Sequence, residues 1–221
     1  FSAQMLSAAG GLLAYLQQTQ LETMPYLKPL LAQWPDAFMV IDTASRKSLE
    51  LSRTLTGERK GSLLSAIDKT STAGGARLLH TRLSAPLTKR AEIEARLGLA
   101  TWFTQNPIIS AETSDILTSI PDIERALSRL VTSRGGPRDL ATLAQGLFKA
   151  RSLSLLLNRS VTAESQLELL ALAEIAQMPA PLVEKIKPAL ADELPLLTRD
   201  GHFIRQGYDS RLDEFRQMRD D

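Results

Sequence analysis

Two glycine-containing stretches come closest to the chemistry of phosphate binding. The stretch 57–62 (GERKGS) places glycines on both sides of Arg59 and Lys60, and Gly74–Gly75 stand just before Arg77. A phosphate-binding loop needs a Gly-Lys-Ser/Thr ending that brings the lysine ammonium to the phosphates, and the sequence contains no Gly-Lys pair. We therefore predict a solvated turn at 57–62, and close helix packing rather than an anion site at the glycine pair.

The remaining reactive side chains form no catalytic arrangement. The chain has no cysteine, which excludes disulfides, thiolate metal sites and a cysteine nucleophile. Its two histidines, His80 and His202, are far apart, and neither has a partner at metal-ligand spacing. No carboxylate stands at a recognisable catalytic spacing from a nucleophile or a second acid. We predict no catalytic, cofactor-binding or metal-binding residues and no enzymatic activity of this piece.

A third group of charged residues follows a regular pattern. Asp122 and Glu124 are followed by Arg125 and Arg129, a spacing typical of helix capping and of ion pairs on a helix surface. Arg125 and Arg129 share one face, whereas Glu124 and Arg125 point to different faces. Such a cluster is either a solvated helix surface or a latch between domains, and the residues alone leave both interpretations open.

The composition predicts a helical globular protein. Of 221 residues, 43% are hydrophobic and only 5% aromatic, and leucine and alanine dominate. The 26 basic and 25 acidic side chains leave a net charge of +1, so DNA binding by this piece alone is disfavoured. No apolar run approaches the roughly 20 residues that cross a membrane, and the first residues lack the pattern of a secretory signal. We expect a cytoplasmic protein.

Both ends of the sequence are expected to be cut from a longer chain. The sequence begins at Phe1, without a methionine, inside an amphipathic pattern. It ends in a helical pattern with Leu212, Phe215 and Met218 on one face and no residue that stops the helix. The alternative is a natural terminus with a frayed helix.

Apolar spacing places the charged residues on helices. The predicted helices are 2–19, 45–55, 88–106, 110 to about 120, one that begins at 121–122, 137–157, 162 to before 179, 181–191, and one from about 209, with helical apolar stripes at 63–67 and 78–83. Thr88, Ser110 and Thr162 are the predicted caps of the helices that they begin. In the helix that begins at 121–122, Ile123, Leu127 and Leu130 are predicted to face inward. Three segments are predicted otherwise: 21–36 as an extended connector, 37–42 as a strand or extended segment, and a hairpin turning at Asp200–Gly201. The sum is an all-α fold with one or two short β segments.

Five blocks of the sequence carry a more specific pattern. They are 39–51 (MVIDTASRKSLEL), 61–87 (GSLLSAIDKTSTAGGARLLHTRLSAPL), 120–130 (IPDIERALSRL), 134–140 (RGGPRDL) and 199–216 (RDGHFIRQGYDSRLDEFR). In this order they resemble the helical lever or core domain of the MutS family of DNA mismatch-repair proteins. The departures, at Ser48, Gly74 and Arg82, fall on packing positions where that family usually has Asn, Met and Trp. The resemblance implies a connector-end helix and linker at 1–36 and a lever/core domain at 37–221, cut at the start of the clamp.

This resemblance implies the function of a larger protein. A MutS protein reads mismatched DNA with its N-terminal domain, grips DNA with its clamp, and hydrolyses ATP with magnesium in a C-terminal domain that dimerises. None of these parts is recognised here, so we expect this piece to hold no cofactor and to be a monomer, whereas the whole protein is expected to be a homodimer.

The implied partners are the other domains of its own chain, mismatched double-stranded DNA bound by the whole protein, and mismatch-repair partner proteins, with no membrane contact. The implied location is the bacterial cytoplasm, acting at the nucleoid. Two alternatives stay open: the core of a MutS-like paralogue acting in recombination, and a free-standing helical interaction module.

The resemblance also gives the charged residues an expected role. Because they lie in or near the similar blocks without a catalytic arrangement, we predict that they maintain the structure and its interdomain geometry, and so couple DNA-contacting domains to the ATPase. These candidates are Asp42, Arg46, Asp68, Arg77, Glu124, Arg125, Arg129, Arg138, Asp139 and Asp209.

Overall fold

The computed structural model describes residues 1–19, 27, 29–31, 37–160 and 180–220. Within these ranges the fold is all-α, as predicted, and β structure is limited to two isolated bridges. A 3-10 turn, Thr198–Asp200, precedes the last helix. The helices are α1 Ala3–Thr19, α2 Thr43–Ser48, α3 Leu63–Ile67, α4 Ala73–Ser84, α5 Arg90–Gln105, α6 Pro107–Thr118, α7 Ile123–Val131, α8 Pro137–Ser160, α9 Ala180–Ala189 and α10 Ser210–Asp220.

The long helix α8 is the centre of the packed region, because α6, α7 and α9 all lie against it. Its middle carries Ala144, which forms a buried cluster with Ile186 and Leu190. Its C-terminal half carries Leu157, which is 3% exposed and packs against Trp102 of α5. The two clusters give α8 apolar contacts along most of its length, so it can serve as a rigid base for the helices around it.

Helix α7 begins where the sequence predicts. The carboxylate of Asp122 accepts the N–H of Arg125 at 3.2 Å and caps the first turn. Its inward face is set by Ile123 and Ala126, and Ala126 is 3% exposed. The prediction that Leu127 faces inward is wrong, because this side chain is 47% exposed.

The segment predicted as a strand at 37–42 is extended but forms only one bridge. Phe38 pairs with Leu87 in antiparallel fashion, and the N–H of Met39 donates to the carbonyl of Pro86 at 2.8 Å. The segment therefore lies beside the residues that follow α4, which the pattern of its own residues does not reveal.

The helix predicted at 45–55 is too long. It ends at Ser48, and Glu50 has a φ of 47°, which turns the chain out of the helix. The solvated turn predicted after it is confirmed in its backbone, since Gly57 and Gly61 have φ values of 88° and 95°.

Two predicted helix caps are also wrong. Helix α5 begins at Arg90, and the capping position is Lys89 rather than Thr88. Helix α6 begins at Pro107, so Ser110 lies within its first turns instead of before them. Proline has no N–H to satisfy at the first helical position, which allows α6 to follow α5 almost directly.

The hairpin predicted at Asp200–Gly201 does not form. Gly201 has the positive φ expected of a turn glycine, 70°, but its ψ of −163° extends the chain instead of returning it. Ile204 then forms its antiparallel bridge with Leu190, at the end of α9. The β pairing is therefore real but joins residues more distant in sequence than a hairpin would.

Helix α1 confirms the helix predicted at 2–19, but none of its residues is buried, and Leu6 and Leu12 are 54% and 60% exposed. The helix predicted from Thr162 lies outside the described residues, as does most of the connector predicted at 21–36. Among the described residues, no helix is both long and apolar enough to span a membrane. The division at residue 36 stays a prediction.

Candidate functional site

Helix α4 positions the first arginine of the site. The hydroxyl of Thr72 accepts the N–H of Gly75 at 2.9 Å and fixes the first helical turn. A Cβ on Gly75 would lie 2.9 Å from the same hydroxyl oxygen, so a larger residue there would have to shift the Thr72 side chain. Gly74 borders open space, so the predicted close helix packing of this pair is wrong. The capped turn places Arg77 on the first turns of α4.

Arg77 reaches from α4 to the start of α7. Its Nη1 and Nη2 donate to the two carboxylate oxygens of Asp122 at 3.0 and 2.7 Å, and its Nε donates to Oε2 of Glu124 at 2.9 Å. This fork-like pairing is the most directional contact that arginine makes with a carboxylate. We call these three residues the Arg77 latch. It joins two helices that are not among the extensively packed helix pairs of the described residues.

The electrostatics of the latch favour its charged form. Hydrogen bonding from Arg77 is the main reason that the pKa of Asp122 lies below its ordinary value, and the pKa of Arg77 is raised in turn, first by Asp122 and then by Glu124. The side chains of Arg77 and Glu124 are 47% and 74% exposed, so solvent screens much of the attraction. The latch is therefore better suited to fixing a direction than to stabilising the fold.

The other end of α7 is attached to the corner that leads into α8. Nε of Arg129 donates to Oδ2 of Asp139 at 3.1 Å, and its Nη2 donates to the carbonyl of Arg134 at 3.1 Å. Asp139 also accepts the N–H of Gly136 at 2.9 Å, which closes the first turn of α8. This N–H is the main reason that the pKa of Asp139 lies below its ordinary value. The helix start predicted at 137 is confirmed.

Between these two ends, α7 lies directly on α8. Gly146 is buried, and a Cβ there would come within 2.6 Å of Cδ1 of Ile123 and closer still to its Cγ1. Gly135, in the loop between α7 and α8, would bring a Cβ to 2.8 Å from the backbone of Leu130. The α7–α8 contact thus depends on the absence of a side chain at Gly146, and the contact of Arg129 with Asp139 joins the same two helices at one end.

Comparison with known proteins relates this geometry to a family. Residues 44–221 match the family model described as MutS domain III. The whole chain is 42% identical, over 221 residues, to the DNA mismatch repair protein MutS of Cereibacter sphaeroides. The chain belongs to the MutS family. It spans about a quarter of the length of that relative, covering 25% of it.

Two of the other charged candidates in this MutS chain organise α2. Asp42 accepts the N–H of Ser45 at 2.8 Å and caps the helix, and this contact holds its pKa below the ordinary value. Arg46 donates to the carbonyl of Ile41 at 2.9 Å and to the carbonyl of Ser84 at 2.5 Å. Arg46 therefore ties α2 to the last residue of α4.

Asp68 organises the turn between α3 and α4. It accepts the hydroxyl of Thr70 at 2.7 Å and Nη2 of Arg59 at 2.8 Å. The hydroxyl bond is the main reason that the pKa of Asp68 lies below its ordinary value. This carboxylate thus fixes the turn that leads to the cap of α4.

The last three candidates lie apart from one another. Arg138 donates to the carbonyl of Leu194 at 3.0 Å and links α8 to the chain after α9. Asp209 accepts the N–H of Leu212 at 3.1 Å and caps α10, whose start the sequence predicts at about 209. Arg125 is exposed, and its positive charge helps to hold the pKa values of Asp122 and Asp139 down.

Of the ten residues predicted to maintain interdomain geometry, the structure brings two pairs into contact: Arg77 with Glu124, and Arg129 with Asp139. Sequence reasoning missed Gly146, whose only signal is a lone glycine inside a helical pattern. It also missed Arg205, which donates to the carbonyl of Leu190 and to Asp192.

The described residues do not fit the cofactors that the whole MutS protein is expected to use. They contain no group of three or more His, Asp or Glu residues that could hold a metal ion. The sequence contains no Gly-Lys pair to place on phosphates. No step through ATP or magnesium is therefore derived for this piece. What the arrangement can do is keep α4, α7 and α8 in one fixed relation.

Proposed function

We propose that this chain is the helical coupling region of a MutS mismatch-repair protein. In the whole protein, it connects the domains that bind mismatched DNA to the domain that binds and hydrolyses ATP with magnesium. The piece itself performs no catalysis. Support comes from the family match over 44–221 and from the name of the relative that is 42% identical over the whole chain.

The observation that carries the coupling role is the pair of arginine contacts at the two ends of α7. The Arg77 latch joins α7 to α4, and the contact of Arg129 with Asp139 joins α7 to α8. These contacts fix the direction of α7 at its two ends, and the close packing of Ile123 against Gly146 lets α7 and α8 move together. A shift of α4 would therefore reach α8 through α7.

The proposal extends to partners and location. We propose that the piece works against other domains of its own chain, in a homodimer that acts on mismatched double-stranded DNA with mismatch-repair partner proteins in the bacterial cytoplasm. The name of the relative favours mismatch correction over recombination, and a match to one quarter of that relative favours a part of a larger protein over a free-standing module.

The test is to replace Arg77 in the whole protein and measure how ATP changes its affinity for mismatched DNA. Arg77→Gln removes the charge and the fork but keeps a shorter polar side chain with an aliphatic stem. We expect the ratio of DNA affinities with and without ATP to move toward one by about threefold or more, as substitutions along coupled networks commonly do. Fluorescence anisotropy with a mismatched duplex gives both affinities.

A matched control is Arg90→Gln, since the side chain of Arg90 is 90% exposed and pairs only locally with Glu94. This variant is expected to keep the ratio of the unchanged protein. Equal ratios in the Arg77 and Arg90 variants would contradict the coupling role, whereas a parent protein without any ATP response would contradict the proposed function itself.

A further inference from the structure

A basic cleft lies beside the Arg77 latch. It occupies about 500 Å³ between the loop after α2 and one side of α4, and its charged lining consists of Arg53, Arg59 and Arg77, with His80 beside them. Leu64 and Ala76 provide apolar wall. We call this the arginine cleft. No carboxylate is among the described residues that line it.

The cleft is the centre of an uneven distribution of charge. Residues 52–82 contain six Arg or Lys and two Asp or Glu, a net charge of +4. The remaining residues contain 20 basic and 23 acidic side chains, a net charge of −3, although the whole chain is close to neutral at +1. Asp122 and Glu124 offset part of this excess through Arg77, but both lie at the start of α7, outside the basic stretch.

Arg53 is the least compensated cation of the cleft. Its Nη1 donates to the carbonyl of Gly57 at 2.8 Å, which directs the guanidinium without neutralising it. Within the described ranges, Arg53 forms no ion pair, whereas Arg59 has Asp68 and Arg77 has its latch. A guanidinium held in place with donors to spare is suited to receive an oxyanion.

We propose that the arginine cleft receives an acidic side chain, Asp or Glu, from a segment of the MutS protein outside these 221 residues. This rests on the proposed function, in which the chain is one part of a larger protein. Carboxylates match the planar fork of arginine, and Leu64 and Ala76 can pack against the aliphatic part of the incoming side chain. A cavity of this size suits a few side chains rather than the backbone of a DNA duplex, which needs an extended basic surface.

The test maps what lies in the cleft of the whole protein. Ser52, which lines the cleft, is replaced by a diazirine amino acid, and the cross-linked peptides are identified by mass spectrometry with and without mismatched DNA. We expect cross-links within the protein to a peptide outside these 221 residues that contains Asp or Glu. Arg53→Glu should lower their yield about tenfold, the loss expected when a charged hydrogen bond is removed.

Arg90→Glu is the matched control, because it makes the same charge change on the exposed surface of α5. It should keep the yield, and unchanged thermal unfolding of both variants shows that the fold is intact. Cross-links to DNA, to a peptide without an acidic residue, or at a yield that Arg53→Glu leaves unchanged would overturn the inference, as would the absence of cross-links. The ATP response is measured separately, so failure of this inference is distinguishable from failure of the proposed function.

Discussion

Replacing Gly146 by alanine tests whether α7 is positioned by its contact with α8. The added Cβ would come within 2.6 Å of Cδ1 of Ile123, closer still to Cγ1, and 3.6 Å from Cγ of Pro121. Because Ile123 is β-branched and starts α7, it has few other rotamers in which to move aside. The substitution must therefore displace α7 or strain the isoleucine.

Two opposing effects set the magnitude. Alanine is a better helix former than glycine and would stabilise the middle of α8 by about 0.5–1 kcal/mol. Overfilling a packed contact costs about 1–3 kcal/mol. We expect the second effect to prevail, so that Gly146→Ala lowers the free energy of unfolding by about 1–2 kcal/mol. Gly10→Ala, at a helical glycine with nothing within 4 Å of the added Cβ, should not lower it.

The assay is urea unfolding of the chain, followed by far-ultraviolet circular dichroism. Gly146→Ala should also be measured in a variant that already carries Ile123→Ala, because Ile123→Ala removes both of the atoms that the new Cβ would overlap. This substitution alone should cost about 2 kcal/mol or more, but Gly146→Ala added to it should then stabilise the chain by up to about 1 kcal/mol. The effect of the same substitution at 146 thus changes sign.

Simple additivity of the two substitutions would refute this account, because atoms in direct contact must show an interaction energy. A stabilising effect of Gly146→Ala in the otherwise unchanged chain would refute it equally.

Two further predictions concern the corner before α8. Asp139→Asn should lower the free energy of unfolding by about 1 kcal/mol at neutral pH, because the bond to the Gly136 N–H weakens and the ion pair with Arg129 is lost. The folded-state pKa of Asp139 lies below its ordinary value of 3.8, so this contribution to stability is present above pH 3.8. In urea titrations at decreasing pH, the difference in unfolding free energy between the two proteins should shrink as the pH falls through the folded-state pKa. Gly136→Ala should destabilise the folded chain by about 1–3 kcal/mol, because the new Cβ would lie 2.9 Å from the backbone oxygen of Leu196. The control is Gly74→Ala, which borders open space and should leave the thermal midpoint unchanged or raise it. Equal effects of the two substitutions would contradict the close approach at 136.

The features that sequence reasoning predicted correctly are local. Asp122 caps α7 as expected, because a cap depends on a side chain and an N–H only three residues apart. The start of α8 at Pro137 follows from the same kind of short-range rule.

The features that it missed depend on distance in sequence. The bridge between Leu190 and Ile204 required knowing that α9 ends beside the residues after Gly201. The site shows the same limit. The sequence predicts Arg77 as a structural candidate because it lies in the block 61–87, but its partners Asp122 and Glu124 lie 45 and 47 residues away and do not follow from that block. The prediction that Leu127 faces inward is wrong because the neighbouring Ala126, with its smaller side chain, is the buried residue in the close α7–α8 contact.

The bridge between Phe38 and Leu87 has a consequence for how this part of the chain can be rearranged. The residues between them enter and leave at the same place, because paired backbones lie side by side. Segments with adjacent ends tolerate excision, insertion and circular permutation, since a short linker can rejoin what remains. The ends of the stretch from 38 to 87 could thus be rejoined by a short linker, but removing the stretch would also remove α4 and, with Arg77, the contacts that join it to the start of α7.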